Sequence, residues 1–481
     1  MKTELNYKML ALSSAVGIIL WFIPVPEGLK ENAWHLFGIF VFVIMGIITK
    51  AAPMGTMAML GIALSAFSTV LAPEDSVNPA KDSIVNALSG FGNSIIWLIG
   101  MAFFIARGFI KTGLGARIAY FFVQKFGRST LGLAYGLNLA DLLLAPAVPS
   151  NTARSGGIIY PIMKSVAMSL GSDAAKPETN KKAGTFLTLS TYNANLITST
   201  MFLTGTASNP MAQKFAADLG ISISWGSWAV AALVPGLLCL MVMPYVLYKV
   251  SPPDLKNTGD APELARQKLR EMGKMKPEEW IMIVAFLILL FLWIFGETVH
   301  IDATTTALLG LCFLLLTRVL TWEDVKSEKG AWDTVVWFSS LVMMASFLAK
   351  LGFIPWLSEN IKDSISGMSW YYAFPIIILI YYYLHYMFAS ATAHVAALYY
   401  AMLSVGVAVG VPPDMLALFL GFCGGIFGTL THYGHGPAPI LYGSGYVTVN
   451  QWWKDGFLLS MVYLFIFFII GGAWWKVLGL W

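Results

Sequence analysis

The sequence predicts an all-α polytopic membrane protein built from two inverted repeats. Three observations carry this: a strongly apolar composition, apolar runs of helix-spanning length, and a motif pair repeated at a fixed offset. Of 481 residues, 57% are hydrophobic and 12% charged. A soluble globular domain carries about 25% charged residues. Residues 280–296 and 456–475 contain no charge. Runs of that length fit helices crossing a hydrocarbon core of roughly 30 Å. A β-barrel would instead show alternation over about ten residues.

Taken in order, apolar segments lie near 8–24, 33–49, 54–72, 90–111, 130–169, 183–218 and 226–248. Others follow near 280–296, 302–320, 333–350, 371–409, 413–447 and 456–475. The first run lacks a small-residue cleavage site, so it reads as a transmembrane helix rather than a removable signal peptide. Basic residues cluster at 111–128, 172–182 and 249–276. Placing these clusters on the cytoplasmic side puts the N-terminus inside, in the inner (cytoplasmic) membrane. The three cysteines are widely separated in apolar segments and show neither disulfide nor zinc spacing. A net charge of +4 points to no nucleic-acid partner.

The clusters at 111–128 and 172–182 share a side, yet one apolar segment separates them. A re-entrant hairpin with its tip near 145–152 resolves the conflict. That stretch reads APAVPSNT. Irregular backbone at membrane depth is tolerated where protein buries it or a watery cavity meets it.

The second half repeats the first. Trp97 matches Trp337, and Ser150-Asn151-Thr152-Ala153-Arg154 matches Ser390-Ala391-Thr392-Ala393-His394, each at an offset of 240. A second tip is thus expected near 389–392. A further broken segment follows each motif: TGTASNP at 204–210, with Thr206, Ser208 and Asn209, and GTLTHYGHGP at 428–437, with Thr431 and Gly436. Counting crossings, the two hairpins enter from opposite sides. Paired broken helices in inverted repeats point to a secondary transporter with a midplane site.

Ser150, Asn151, Thr152, Ser390 and Thr392 offer hydroxyl and amide donors, and half-helix N-termini add unpaired N–H groups. Arg154 and His394 occupy equivalent positions and would balance the charge of an anion. Two symmetric tips suit a molecule with two carboxylates. The plainer readings stay open: the serines as N-caps, Arg154 as an ion-pair partner of Asp141, His394 as a core histidine. The HxxH spacing of His432 and His435 is a weak metal signal, since no Glu or Cys accompanies it.

The stretches PSNTARSGGIIYPI, FASATAH and GHGPAPILYGSGY resemble the divalent anion/sodium symporter family over essentially the whole chain. The similarity is closest to its bacterial exchanger branch. The resemblance implies a homodimer of elevator transporters, with 11 transmembrane helices and two re-entrant hairpins. It implies that the SNT motifs hold substrate carboxylates and, in sodium-coupled members, sodium. Position 391 is Ala where the sodium-coupled pattern has Asn. No other cofactor is implied; sodium at the first SNT site is the alternative to sodium-free exchange.

The expected scaffold comprises 1–127 and 276–365. The expected transport domain comprises 128–250 and 366–481. Residues 251–275 form a polar cytoplasmic linker with a short amphipathic helix. The function expected is exchange of dicarboxylate or tricarboxylate anions such as 2-oxoglutarate, succinate or malate across the bilayer. Sodium-coupled uptake is the runner-up, and a membrane-embedded metalloenzyme a distant third.

Overall fold

The structure, a computed structural model, describes residues 5–296, 298–364 and 369–481. The boundary drawn at 365/366 lies outside the described residues. Among these residues, eight helices are long and apolar enough to cross a membrane, and four shorter apolar helices accompany them. The chain is an all-α polytopic membrane protein. The one isolated extended pairing among the described residues joins Ser129 to Asn257.

Helices break at both expected tip positions, and chemistry explains where. The helix Thr130–Leu144 ends when Ala145 N–H bonds the Asp141 carbonyl at 2.9 Å. Pro146 and Pro149 then supply no N–H to continue the helix; Ala145 caps it in a helical conformation, and the chain is irregular from Val148 to Ser150. The chain restarts at Asn151 and widens into a π-helical turn at Ala153–Ile159, then continues as Tyr160–Ser169. In the second half, Trp370–Tyr383 tightens into a 3₁₀ turn at Leu384–Met387. Phe388 is extended, Ser390 caps Ala391–His394, and a π-helical turn follows at Val395–Tyr399. So each returning limb carries a π turn directly after its motif. Such turns frequently mark functional sites.

The centre is made by Gly184–Met201, whose every residue is buried, and Pro413–Ile426, buried beyond its first two residues. Gly425 lets them touch, since a Cβ there would overlap the Thr200 hydroxyl. Each helix ends in a 3₁₀ turn, Leu203–Gly205 and Phe427–Leu430, capped by a threonine in extended conformation, Thr206 and Thr431. These are the two broken segments of the repeat. Tyr192 donates to the Gly428 carbonyl at 2.6 Å, and the Asn193 carbonyl oxygen accepts from Thr429 and Tyr463 at 2.7 and 3.0 Å. These bonds satisfy part of the polar helix, while the buried hydroxyls of Thr188, Ser190 and Thr191 have no hydrogen-bond partner among the described residues.

The linker helix spans Ala261–Glu271 and turns Ala261 and Ala265 inward against Leu114–Phe126. The segment before it straps both roots of the first hairpin. Thr130 N–H bonds the Lys256 carbonyl at 3.0 Å, while Asp254 and Leu255 N–H bond the carbonyls of Lys181 and Lys182. The two halves of the chain are joined by Arg117 on Glu279 at 2.6 Å and Lys111 on Asp324 at 2.6 Å.

Candidate functional site

Each motif serine acts as a cap. Ser150 Oγ accepts from Ala153 N–H at 3.1 Å and Ser390 Oγ from Ala393 N–H at 3.3 Å. A capping hydroxyl keeps its own hydrogen free to donate, so capping and anion binding coexist. Ser150, Thr152, Ser390 and Thr392 are half-buried, and Gly436 is exposed. These are the accessible positions of the two tips and the loop between them.

The loop after the second 3₁₀ turn bridges the two tips. On one side, Asn151 Nδ2 donates to His435 Nδ1 at 2.8 Å, and a Cβ on Gly436 would overlap the Thr152 hydroxyl. On the other, a Cβ on Gly434 would overlap His385, whose Nδ1 stands 3.1 Å from His394 Nδ1. Thr431 Oγ1 accepts from Gly434 N–H at 2.9 Å and shapes the turn. The glycines are therefore required by close approach. His432 is held separately, its Nδ1 accepting from Trp453 at 3.0 Å.

Arg154 is fully buried and has five hydrogen-bond partners. Its Nε donates to Asp141 at 3.1 Å. Its terminal nitrogens donate to the Val148 and Gly205 carbonyls at 2.6 and 3.2 Å, and to Ser199 and Thr198 at 2.6 and 3.3 Å. Asp141 in turn accepts from Asn195 at 3.1 Å and from Thr198. The expectation of a free counter-charge at this position is not what the structure has: the guanidinium is balanced by Asp141 and braces the tip from behind. Thr204 adds a bond to the Pro146 carbonyl at 2.7 Å.

Thr206, Ser208 and Asn209 lie in this buried layer. Asn209 Nδ2 donates to the Ser199 and Phe202 carbonyls at 2.7 and 2.8 Å, which fixes the break. Asn209 thus braces the break, while Thr206 and Ser208 are buried, the Ser208 hydroxyl without a hydrogen-bond partner among the described residues. His394 is equally buried, stacked by Phe388 and Phe427 at 4.5 and 4.6 Å between ring centroids. Sequence reasoning did not single out His385, Asn195, Thr198 or Ser199. The last three had a signal, a dense polar run STYNANLITST within an apolar segment. Lys50 was also missed. With Ser390 it lines a cavity of about 420 Å³ between the second tip and the turn after Glu31–Ile48.

Two capped tips, two broken loops and a bridging glycine-rich turn gather polar groups inside a membrane protein. Residues 3–481 match the family described as the sodium:sulfate symporter transmembrane region. The chain belongs to that family. It is therefore a transporter rather than an enzyme. The chain is 54% identical to a putative malate transporter of Bacillus subtilis over 473 residues, covering 98% of this chain and 96% of that one. It is 46% identical to a chloroplastic dicarboxylate transporter 1 of Spinacia oleracea over 479 residues, covering 99% and 82%. Among solved structures, the YdaH transporter of Alcanivorax borkumensis superposes with a TM-score of 0.58 at 11% identity, over 88% of this chain and 98% of that one. That last likeness concerns the fold alone.

Proposed function

We propose that the protein exchanges dicarboxylates, of the class of malate, succinate and 2-oxoglutarate, without sodium. Similarity to malate and dicarboxylate transporters supports the substrate class. One observation carries the exchange reading. The Arg154 guanidinium holds the Val148 and Gly205 carbonyls and the Thr198 and Ser199 hydroxyls. Those oxygens are the hard ligands a mobile cation would otherwise gather to order a broken helix. A cation fixed to the chain orders the first tip without a cation from solution. Ala391 at the second tip offers no side-chain ligand at all.

Ser150, Thr152, Ser390 and Thr392, with the N–H groups behind them, take the two carboxylates. With the anion gone, these donors face the membrane interior unpaired, which is costly. Refilling with another dicarboxylate removes that cost, so the loaded carrier returns more readily than the empty one. Residues 128–250 and 366–481 move as the transport domain against 1–127 and 276–365. The strap at 254–258 lies at the hinge. The assembly is a homodimer in the cytoplasmic membrane with its N-terminus inside, and a tricarboxylate is the largest cargo.

The intact Ser150-Asn151-Thr152 motif favours a second reading, sodium-coupled uptake. Counterflow in proteoliposomes separates the two. Labelled 2-oxoglutarate should enter liposomes loaded with succinate, in choline as well as in sodium, and should not enter empty ones. Sodium-dependent entry into empty liposomes would return the protein to the symporters.

A further inference from the structure

The turn after Glu31–Ile48 carries a residue that its backbone does not favour. Two hydrogen bonds close this helix: Lys50 N–H to the Ile47 carbonyl at 3.2 Å, and Ala51 N–H to the Gly46 carbonyl at 2.8 Å. That pairing puts the residue at position 50 in the left-handed region, where glycine is preferred. The same two bonds close the helices before Gly171, Gly220, Gly410 and Gly479. Here the residue is lysine, at φ +54°. Thr69, His300 and Arg318 also hold positive φ, but none of them lines the cavity beside the second tip. Lys50 does.

We infer that Lys50 belongs to the anion site: its ammonium binds a carboxylate of the cargo at the second tip, beside Ser390. This rests on the reading of that tip as an anion site. The two residues share one cavity of about 420 Å³, and the other side chains that line it, such as Ile47, Pro53 and Met54, are apolar. The short helix after Ser390, Ala391–His394, packs on Glu31–Ile48, so tip and turn stand side by side. Lys50 is exposed and has no ion-pair partner among the described residues. Ser390 Oγ accepts from Ala393 N–H and keeps its own hydrogen to donate. A hydroxyl donor and an unpaired ammonium in one otherwise apolar cavity suit a carboxylate. The flexible lysine stem lets three N–H donors reach it from the turn. A left-handed backbone at a side chain other than glycine is costly, and such residues cluster at ligand clamps. The competing role is structural, since a cation is also favoured near a helix C-terminus.

Lys50→Gly separates the two roles, because it suits the backbone and removes the charge. In succinate counterflow, Lys50→Gly and Lys50→Gln should each raise KM about fivefold to tenfold, between the worth of an exposed ion pair and that of a hydrogen bond to a charged group. Maximal rate should be nearly unchanged. Lys50→Arg should stay within about twofold of wild type, since it keeps a charge-assisted donor. The melting temperature of Lys50→Gly in detergent should be no lower than that of wild type, since glycine takes a left-handed backbone without strain. All variants are compared at equal membrane level. Three results overturn the inference: wild-type KM in Lys50→Gly, equal impairment of Lys50→Arg and Lys50→Gln, or a raised KM in Lys50→Gly accompanied by a lowered melting temperature. Ser150→Ala and Ser390→Ala run alongside. If they raise KM while Lys50→Gly does not, the inference fails and the site stands; if neither serine matters, the site reading itself fails and the inference with it.

Discussion

The two hairpin tips are built on one plan and filled differently. Tip one has Ser-Asn-Thr, a buried ion pair and five donor contacts from one guanidinium. Tip two has Ser-Ala-Thr, no buried ion pair among the described residues, and a histidine pair packed in aromatic rings. The caps and the π turns are common to both. What differs is how the irregular backbone is held: by charge in one tip and by stacking in the other. A repeat can therefore conserve a backbone geometry while changing the forces that support it.

The largest effect should come from breaking the charged tip. Arg154→Ala leaves Asp141 buried without its partner, which typically costs about 3–5 kcal/mol. Thermal unfolding in detergent should show a large fall in stability. Replacing both, as Arg154→Met with Asp141→Leu, should recover much of the stability because no lone charge remains, yet leave exchange defective. Next, Gly436→Ala forces a methyl onto the Thr152 hydroxyl. Strain of roughly 1–3 kcal/mol is expected from overpacking, and because Gly436 itself is exposed this should appear as a transport loss of about tenfold with folded yield preserved.

Making the tips more alike sharpens the comparison. Ala391→Asn restores the amide that tip two lacks, but the guanidinium still holds the oxygens of tip one. Exchange should remain insensitive to sodium in flux assays. The smallest effect belongs to the Lys111–Asp324 pair, which is far from both tips. Burial alone would raise the Asp324 carboxyl, but hydrogen bonds from Lys111 and from the Thr321 N–H and hydroxyl together bring it down to about 2. Its folded-state value is depressed, so its contribution is complete above the ordinary aspartate range near about 3.9. It is lost only as pH falls toward about 2. Asp324→Asn should change stability by no more than about 1 kcal/mol, equally at mildly acidic and neutral pH.

The tips themselves were readable from the sequence because local chemistry makes them. The Pro146 and Pro149 pair at the first tip, a capping serine at each and a fixed repeat offset mark where helices stop and restart. The broken loops were readable for the same reason. The bracing role of Asn209 was not, because it depends on that side chain reaching back to Ser199 and Phe202. Nor was the bridge between tips, since Asn151 and His435 meet across 284 residues. Asp141 was visible as a candidate partner of Arg154, but the Val148 and Gly205 carbonyls and the Thr198 and Ser199 hydroxyls meet the guanidinium only through packing of separate segments.

The central claim is that a cation fixed to the chain does the work of a dissolved one at the first tip. Direct binding of succinate to the purified protein, titrated in choline and again in sodium buffer, tests it most directly. Equal affinity in both buffers is the predicted result. Binding that needs sodium would contradict it, and would mean that the guanidinium behind Ser150 braces the tip without replacing the ion.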